Sequence, residues 1–185
     1  MIYVIDHEDS FTFNLVHLLG IYDNVYTSNY YEIDKAKLNK ADVLVLSPGP
    51  GEPKNYPETT RIYNHYKGKK KILGICLGFQ QILYSEGGNI IQQKNIYHGY
   101  QSTIKVLPTT HLFKKWKKLT VGRYHSLKLK EPFFSSSISI TMRCQKTNAA
   151  MALEDINNKI FGFQFHPDSF LTKNGKNLIQ TILSA

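Results

Sequence analysis

Apolar runs alternate with helix-period stretches through the first half of the chain. Residues 2–5 read as a strand, and Ser10 is placed to cap a helix carrying Phe11, Leu15, Leu18 and Leu19 on one face. Asp42-Val43-Leu44-Val45-Leu46 reads as a buried strand stopped by the turn residues Ser47-Pro48-Gly49-Pro50-Gly51. A helical stretch near 57–66 leads into a third strand around Ile72, Leu73 and Ile75, and a further helix follows through Leu77, Gln80, Gln81, Leu83 and Tyr84. This β-α-β order calls for a parallel sheet with helices on both faces. After Gly87-Gly88 the pattern changes to short strands at about 89–93, 101–107, 120–124, 137–143, 149–153 and 159–164. Leu178, Ile179, Ile182 and Leu183 then mark a closing helix. The expectation is one α/β domain over residues 1–185, with a mostly parallel central sheet flanked by helices and a β-rich second half.

The junction between the third strand and its helix carries the chemistry. Gly74-Ile75-Cys76-Leu77-Gly78 places glycines two residues either side of a cysteine at a strand-to-helix turn, as a nucleophile elbow requires. A thiol at a helix N-terminus also feels the positive end of the helix dipole, which favours thiolate. The alternative is a small buried core cysteine. A cysteine nucleophile needs a base, an orienter and donors for an oxyanion. His166 follows the apolar strand ending at Phe165, and Asp168 lies two residues on, so in extended backbone the two point the same way. An exposed His-Pro-Asp turn is the competing reading. Pro48-Gly49-Pro50-Gly51 offers open backbone N–H groups in a stiffened loop, or is a plain strand-ending turn.

Composition narrows the class without changing it. The two cysteines, Cys76 and Cys144, are far apart, which argues against a disulfide framework and for a reducing compartment. The apolar start, Met1 to Ile5, is too short for a signal-peptide core, and no run approaches a membrane span. A cytoplasmic protein with no membrane partner is expected. The formal charge of +9, from 23 Lys+Arg against 14 Asp+Glu, would suit a nucleic-acid binder. Its basic residues cluster at 67–71, before the strand leading to Cys76, and at 114–118, where Trp116 could stack on a base. A solvated surface is the better reading, because charge alone speaks to solubility and association. No nucleic-acid partner is therefore expected, and salt-dependent retention on DNA or RNA is the discriminating observation.

The segments 74–80, Ser47-Pro48-Gly49-Pro50-Gly51-Glu52-Pro53 and Phe163-Gln164-Phe165-His166-Pro167-Asp168-Ser169 together resemble the class I (triad-type) glutamine amidotransferases. Asp9-Ser10-Phe11-Thr12-Phe13-Asn14, Arg123-Tyr124-His125-Ser126-Leu127 and Leu171-Thr172-Lys173-Asn174-Gly175 narrow the resemblance. They are similar to the small subunit of anthranilate synthase and its relative in aminodeoxychorismate synthase. The resemblance implies a flavodoxin-like fold and no metal or cofactor. It implies that Cys76 attacks the side-chain amide of L-glutamine, that His166 moves the proton and that Asp168 orients His166. Leu77 N–H and a glycine N–H of Gly49-Pro50-Gly51 would hold the oxyanion, while Gln80 and the Ser126-Leu127 backbone would hold the amino-acid end. The implied partner is a separate, large chorismate-using synthase that takes the ammonia, for anthranilate or aminodeoxychorismate. The subunit of another ammonia-using synthase and a non-catalytic subunit with a decayed triad are the alternatives. Two departures stand out: Asp168 replaces the usual Glu, and Asp6-His7-Glu8-Asp9 has His-Glu where Asn-Tyr is usual.

Overall fold

A computed structural model describes all residues, 1–185. Nine strands form one mixed sheet in the order β2-β1-β3-β4-β9-β8-β7-β5-β6. The strands β1 (Ile2–Asp6), β2 (Val25–Asn29), β3 (Val43–Leu46), β4 (Lys71–Ile75) and β9 (Ile160–Phe163) are mutually parallel. From β9 the sheet continues antiparallel through β8 (Ala150–Asp155), β7 (Ser139–Cys144), β5 (Ile90–Val106) and β6 (Lys118–Leu129).

Strand alternation divides the parallel half between two cores. Ile2, Val4, Val43, Val45, Leu73 and Ile75 face one side, where α1 (Thr12–Leu19) and α5 (Gly175–Leu183) cover them with Leu15, Leu19, Leu178 and Ile182. Tyr3, Ile5, Leu44, Leu46 and Ile72 face the other. There α2 (Lys35–Lys40), α3 (Pro57–Tyr66) and α4 (Leu77–Ser85) contribute Leu38, Ile62, Tyr63, Phe79 and Ile82. Burial on both faces explains why these strands read as unbroken apolar runs rather than as alternation.

Four differences from the sequence expectation have local causes. Ser10 does not cap α1; the Asp9 carboxylate accepts from Phe11 N–H at 2.8 Å and the Asp6 carboxylate accepts from Thr12 Oγ1 at 2.8 Å. Phe11 is not part of the core stripe but leans over the sheet edge against Tyr124 and His166. β2 and α2 escaped notice because β2 is a half-exposed edge strand of polar composition and α2 is only six residues long. The stretches 89–93 and 101–107 belong to one 17-residue strand, β5, whose pairing with β6 slips between Gln92 and Tyr97 and again between His98 and Tyr100. The irregular middle of a bulged strand loses the period-2 signal.

The basic clusters have structural partners. Lys71 Nζ donates to the carbonyls of Ile182 and Leu183 at 2.9 and 2.7 Å, placing a cation on the negative end of α5. Lys67 pairs with Glu86 at 2.6 Å. Trp116 is half-buried against Phe113, and Lys115 Nζ lies 4.2 Å from its ring centroid, so its indole is already engaged.

Candidate active site

Cys76 occupies the turn between β4 and α4 with φ 51° and ψ −99°, a conformation side-chain-bearing residues rarely adopt. Strain of this kind costs about 1–3 kcal/mol and persists only where the surroundings over-determine it. Here Cys76 N–H donates to Phe163 O at 2.8 Å, and Cys76 O accepts from Gln80 N–H at 3.1 Å. The flanking glycines let the helix start directly on the sheet. A Cβ on Gly78 would lie 2.1 Å from Leu46 O, and one on Gly74 would lie 2.4 Å from Gly78 O. The thiol is therefore lifted to the C-terminal edge of the sheet, where ligands bind in open α/β folds.

His166 reaches the same edge from the segment after β9. Its N–H donates to Gly122 O at 3.1 Å, and its carbonyl accepts from Thr172 Oγ1 at 2.6 Å. Thr172 Oγ1 in turn accepts from Gly122 N–H at 2.9 Å. A Cβ on Gly175 would fall 1.8 Å from Pro167 O, so the start of α5 presses directly on the turn that carries His166. The rings of Phe11 and Tyr124 lie edge-on to the imidazole, each 5.0 Å away by centroid. Asp168 Oδ1 is 3.7 Å from His166 Nδ1, and both side chains are almost wholly buried. At that separation the contact is ionic rather than a hydrogen bond, and both ring nitrogens lack a hydrogen-bond partner. Burial disfavours a charged imidazole, yet the Asp168 carboxylate and Cys76 outweigh it and push His166 up to about 10.

The other residues singled out from sequence divide by how directly they reach the thiol. Leu77 is the first residue of α4, so its N–H has no carbonyl one turn earlier in the helix. Gly49 and Gly51 N–H donate to no backbone carbonyl. Gly49 sits tight against the helix start, since a Cβ there would be 2.5 Å from Leu77 Cδ2. Pro50 contributes its carbonyl, which accepts from Tyr56 OH at 2.8 Å. Gln80 Nε2 donates to Gln164 Oε1 at 3.0 Å and lies 3.4 Å from Leu127 O, joining α4 to β6. Ser126 is half-buried beside Leu127 on β6.

Three participants were not anticipated. Gln164 is fully buried and points Nε2 at Cys76 Sγ, 3.7 Å away. Its signal was visible: it is the lone polar residue in 160–165, in step with His166 and Asp168. Tyr124 offers its carbonyl 4.0 Å from Cys76 Sγ and its hydroxyl to Ser169 Oγ at 3.0 Å. Phe11, expected in the core, instead packs edge-on against His166.

This geometry sits in a chain that matches the class I glutamine amidotransferase family over residues 3–184. The chain is a class I glutamine amidotransferase. It is 34% identical over 186 residues to anthranilate synthase component 2 of Lactococcus lactis subsp. lactis (strain IL1403), covering 100% of this chain and 94% of that protein. It is likewise 34% identical over 187 residues to aminodeoxychorismate/anthranilate synthase component 2 of Bacillus subtilis (strain 168), covering 99% and 95%. Among solved structures, a putative GMP synthase subunit from Thermoplasma acidophilum superposes with a TM-score of 0.85 at 21% identity. That alignment spans 99% of this chain and 92% of the other, a likeness of fold.

The amidotransferase backs its candidate site with a buried polar cluster. Arg123 is fully buried without a carboxylate partner; its Nε donates to His125 Nε2 at 3.0 Å and its Nη1 to Cys144 Sγ at 3.4 Å. The guanidinium also lies 3.7 Å from the Tyr97 ring centroid. His125 Nδ1 therefore carries the proton and donates to Leu127 O at 2.7 Å. Burial, reinforced by Arg123, brings His125 down to about 3 and keeps it neutral. A neutral histidine thus pins the carbonyl that Gln80 also approaches. No helix in the molecule is long and apolar enough to cross a membrane.

Proposed function

We propose that Cys76, His166 and Asp168 form the hydrolytic centre of an amidotransferase domain spanning residues 1–185, which releases ammonia from L-glutamine for a chorismate-using synthase. The observation that carries this reading is a thiol lifted out of the sheet by a strained turn, with the buried His166–Asp168 pair, 3.7 Å apart, brought to the same sheet edge. A sulfur nucleophile with an imidazole to move its proton is the pair that amide chemistry needs, because an amide is a poor electrophile and amine a poor leaving group.

The Cys76 thiolate adds to the side-chain amide carbon, and the carbonyl electrons move to oxygen. Leu77 N–H and the Gly49 or Gly51 N–H receive that oxyanion, each such donor being worth roughly 3–4 kcal/mol in acyl transfer. As the tetrahedral carbon collapses, the His166 imidazolium gives its proton to the leaving nitrogen, and ammonia departs from a glutamyl thioester. The imidazole, now neutral, takes a proton from water as it attacks, and glutamate leaves as Cys76 thiolate re-forms. Asp168 stabilises the charged ring at both ends of this cycle. Gln80 and the Ser126-Leu127 backbone hold the amino-acid end, and Gln164 steadies the thiolate.

The named components of anthranilate and aminodeoxychorismate synthases among the relatives support a chorismate-using partner. A non-catalytic subunit is the second reading, favoured by one observation, the 3.7 Å gap between His166 and Asp168. With the synthase bound, a glutamine-mimicking diazo-ketone is expected to modify Cys76 and spare Cys144. The Cys76→Ser complex should make product from ammonium but not from glutamine. Labelling at Cys144, or full glutamine use by the Ser variant, would overturn the assignment.

A further inference from the structure

His7 lies at the end of β1, beneath the loop that follows β3, and is fully buried. Ser47 Oγ donates its single proton to Pro48 O at 2.6 Å. It can then only accept from His7, whose backbone N–H lies at 2.8 Å and ring Nδ1 at 3.1 Å. The ring proton is therefore on Nδ1, leaving Nε2 to accept from Thr59 Oγ1 at 3.0 Å. Burial keeps this ring neutral by lowering it to about 4.

The consequence is directional. In a trans peptide the carbonyl and the following N–H point opposite ways, so holding Pro48 O aims Gly49 N–H in the other direction. Tyr56 OH does the same for the next peptide but one, donating to Pro50 O and so setting Gly51 N–H. Tyr56 is itself packed edge-on to His7, 4.9 Å between centroids at 86°. Gly49 is also gripped sterically, because a Cβ there would lie 2.5 Å from both His7 Cβ and Leu77 Cδ2. The loop is thus clamped between His7 and the residue that follows Cys76.

We propose that His7 is a positioning residue for the oxyanion donors: it dictates the Ser47 hydroxyl orientation, and through it the direction of Gly49 N–H. This rests on the hydrolytic reading given above. The test is steady-state kinetics of the synthase complex carrying His7→Phe, which keeps ring volume but removes both ring donor and acceptor. His7→Asn provides the conservative variant, because its amide N–H can replace Nδ1–H. Misaligned rather than deleted donors should lower glutamine-dependent kcat by about tenfold or more. KM for glutamine should stay within about twofold, because the loss belongs to the transition state. Ammonium-dependent synthesis should be unchanged. Inhibition by the glutamine-derived aldehyde, whose adduct with Cys76 places an oxyanion at the same position, should weaken by a similar factor. His7→Asn should recover most of kcat. Should His7→Phe fail to fold, Ser47→Ala breaks the same link and carries the same expectation.

Unchanged kcat in His7→Phe or in Ser47→Ala, or a loss that falls on KM alone, would overturn the proposal. So would a His7→Asn variant as slow as His7→Phe. A wild-type complex that makes product from ammonium but never from glutamine would overturn the hydrolytic reading, and this proposal with it.

Discussion

Replacing Asp168 tests the weakest link of the proposed centre. Burial alone would keep His166 neutral, yet the ring is pushed up to about 10 by Asp168 and Cys76. Against the ordinary 6.5, this favours the charged ring by roughly 5 kcal/mol. A carboxylate this close ordinarily raises a partner's pKa by about 2, so Asp168→Asn should remove roughly 2–3 kcal/mol and let burial draw the ring toward neutrality. Glutamine-dependent kcat of the synthase complex should then fall by about 30- to 150-fold, with ammonium-dependent synthesis unaffected. Asp168→Glu sets two effects against each other. Its extra methylene adds about 1.5 Å of reach, more than the roughly 0.9 Å separating the 3.7 Å contact from a charge-assisted hydrogen bond. The Asp168 side chain is fully buried, however, so the added volume costs about 1–3 kcal/mol of stability. The Glu variant should therefore keep its activity and melt earlier. If the Asn variant retains near-normal glutamine-dependent kcat, Asp168 only closes its turn, and the reasoning from charge is wrong.

Gly78→Ala should destabilise the protein by about 1–3 kcal/mol, because its Cβ would meet the Leu46 backbone oxygen at 2.1 Å and neither backbone can yield; a lowered Tm with reduced Cys76 alkylation checks this. Arg123→Lys cannot donate to His125 through a guanidinium fork, so KM for glutamine should rise as the Leu127 carbonyl loses its fixed partner; an unchanged KM would detach that cluster from the site. Stability should depend on pH at both ends. His7 and His125 are lowered to about 4 and about 3, so the unfolded chain takes up protons below 6.5 that the native protein refuses. By pH 4 that removes roughly 3 kcal/mol for each histidine. His166 is raised to about 10, so its stabilisation is complete below 6.5 and is lost as pH climbs toward 10. Urea midpoints at pH 4.5, 7 and 9.5 should peak in the middle, and a midpoint that rises toward pH 4.5 would contradict the neutral burial of His7 and His125.

The sequence by itself determined the parts that obey short-range rules. The apolar runs β1, β3, β4 and β9 were legible because both faces of each strand are buried. α3 was legible to the residue because Pro57 opens it and its apolar positions follow the helical period. The Cys76 turn was legible because no side chain fits beside it; His166 and Asp168 do come within 3.7 Å, but across a turn closed by Ser169 N–H on His166 O at 3.3 Å rather than along the extended backbone the spacing suggested. Tertiary structure decided whatever depends on what lies across the sheet. Polar edge strand β2 is held by its neighbour β1 rather than by its own pattern. The long β5 hides behind slips in register that only its pairing with β6 reveals. Gln164 and Gln80 meet although 84 residues apart, and His7 reaches Ser47 and Thr59 across 40 and 52 residues. Hydrogen bonds of that span leave no local pattern in a chain, because their cost and benefit are settled only when separate elements pack together.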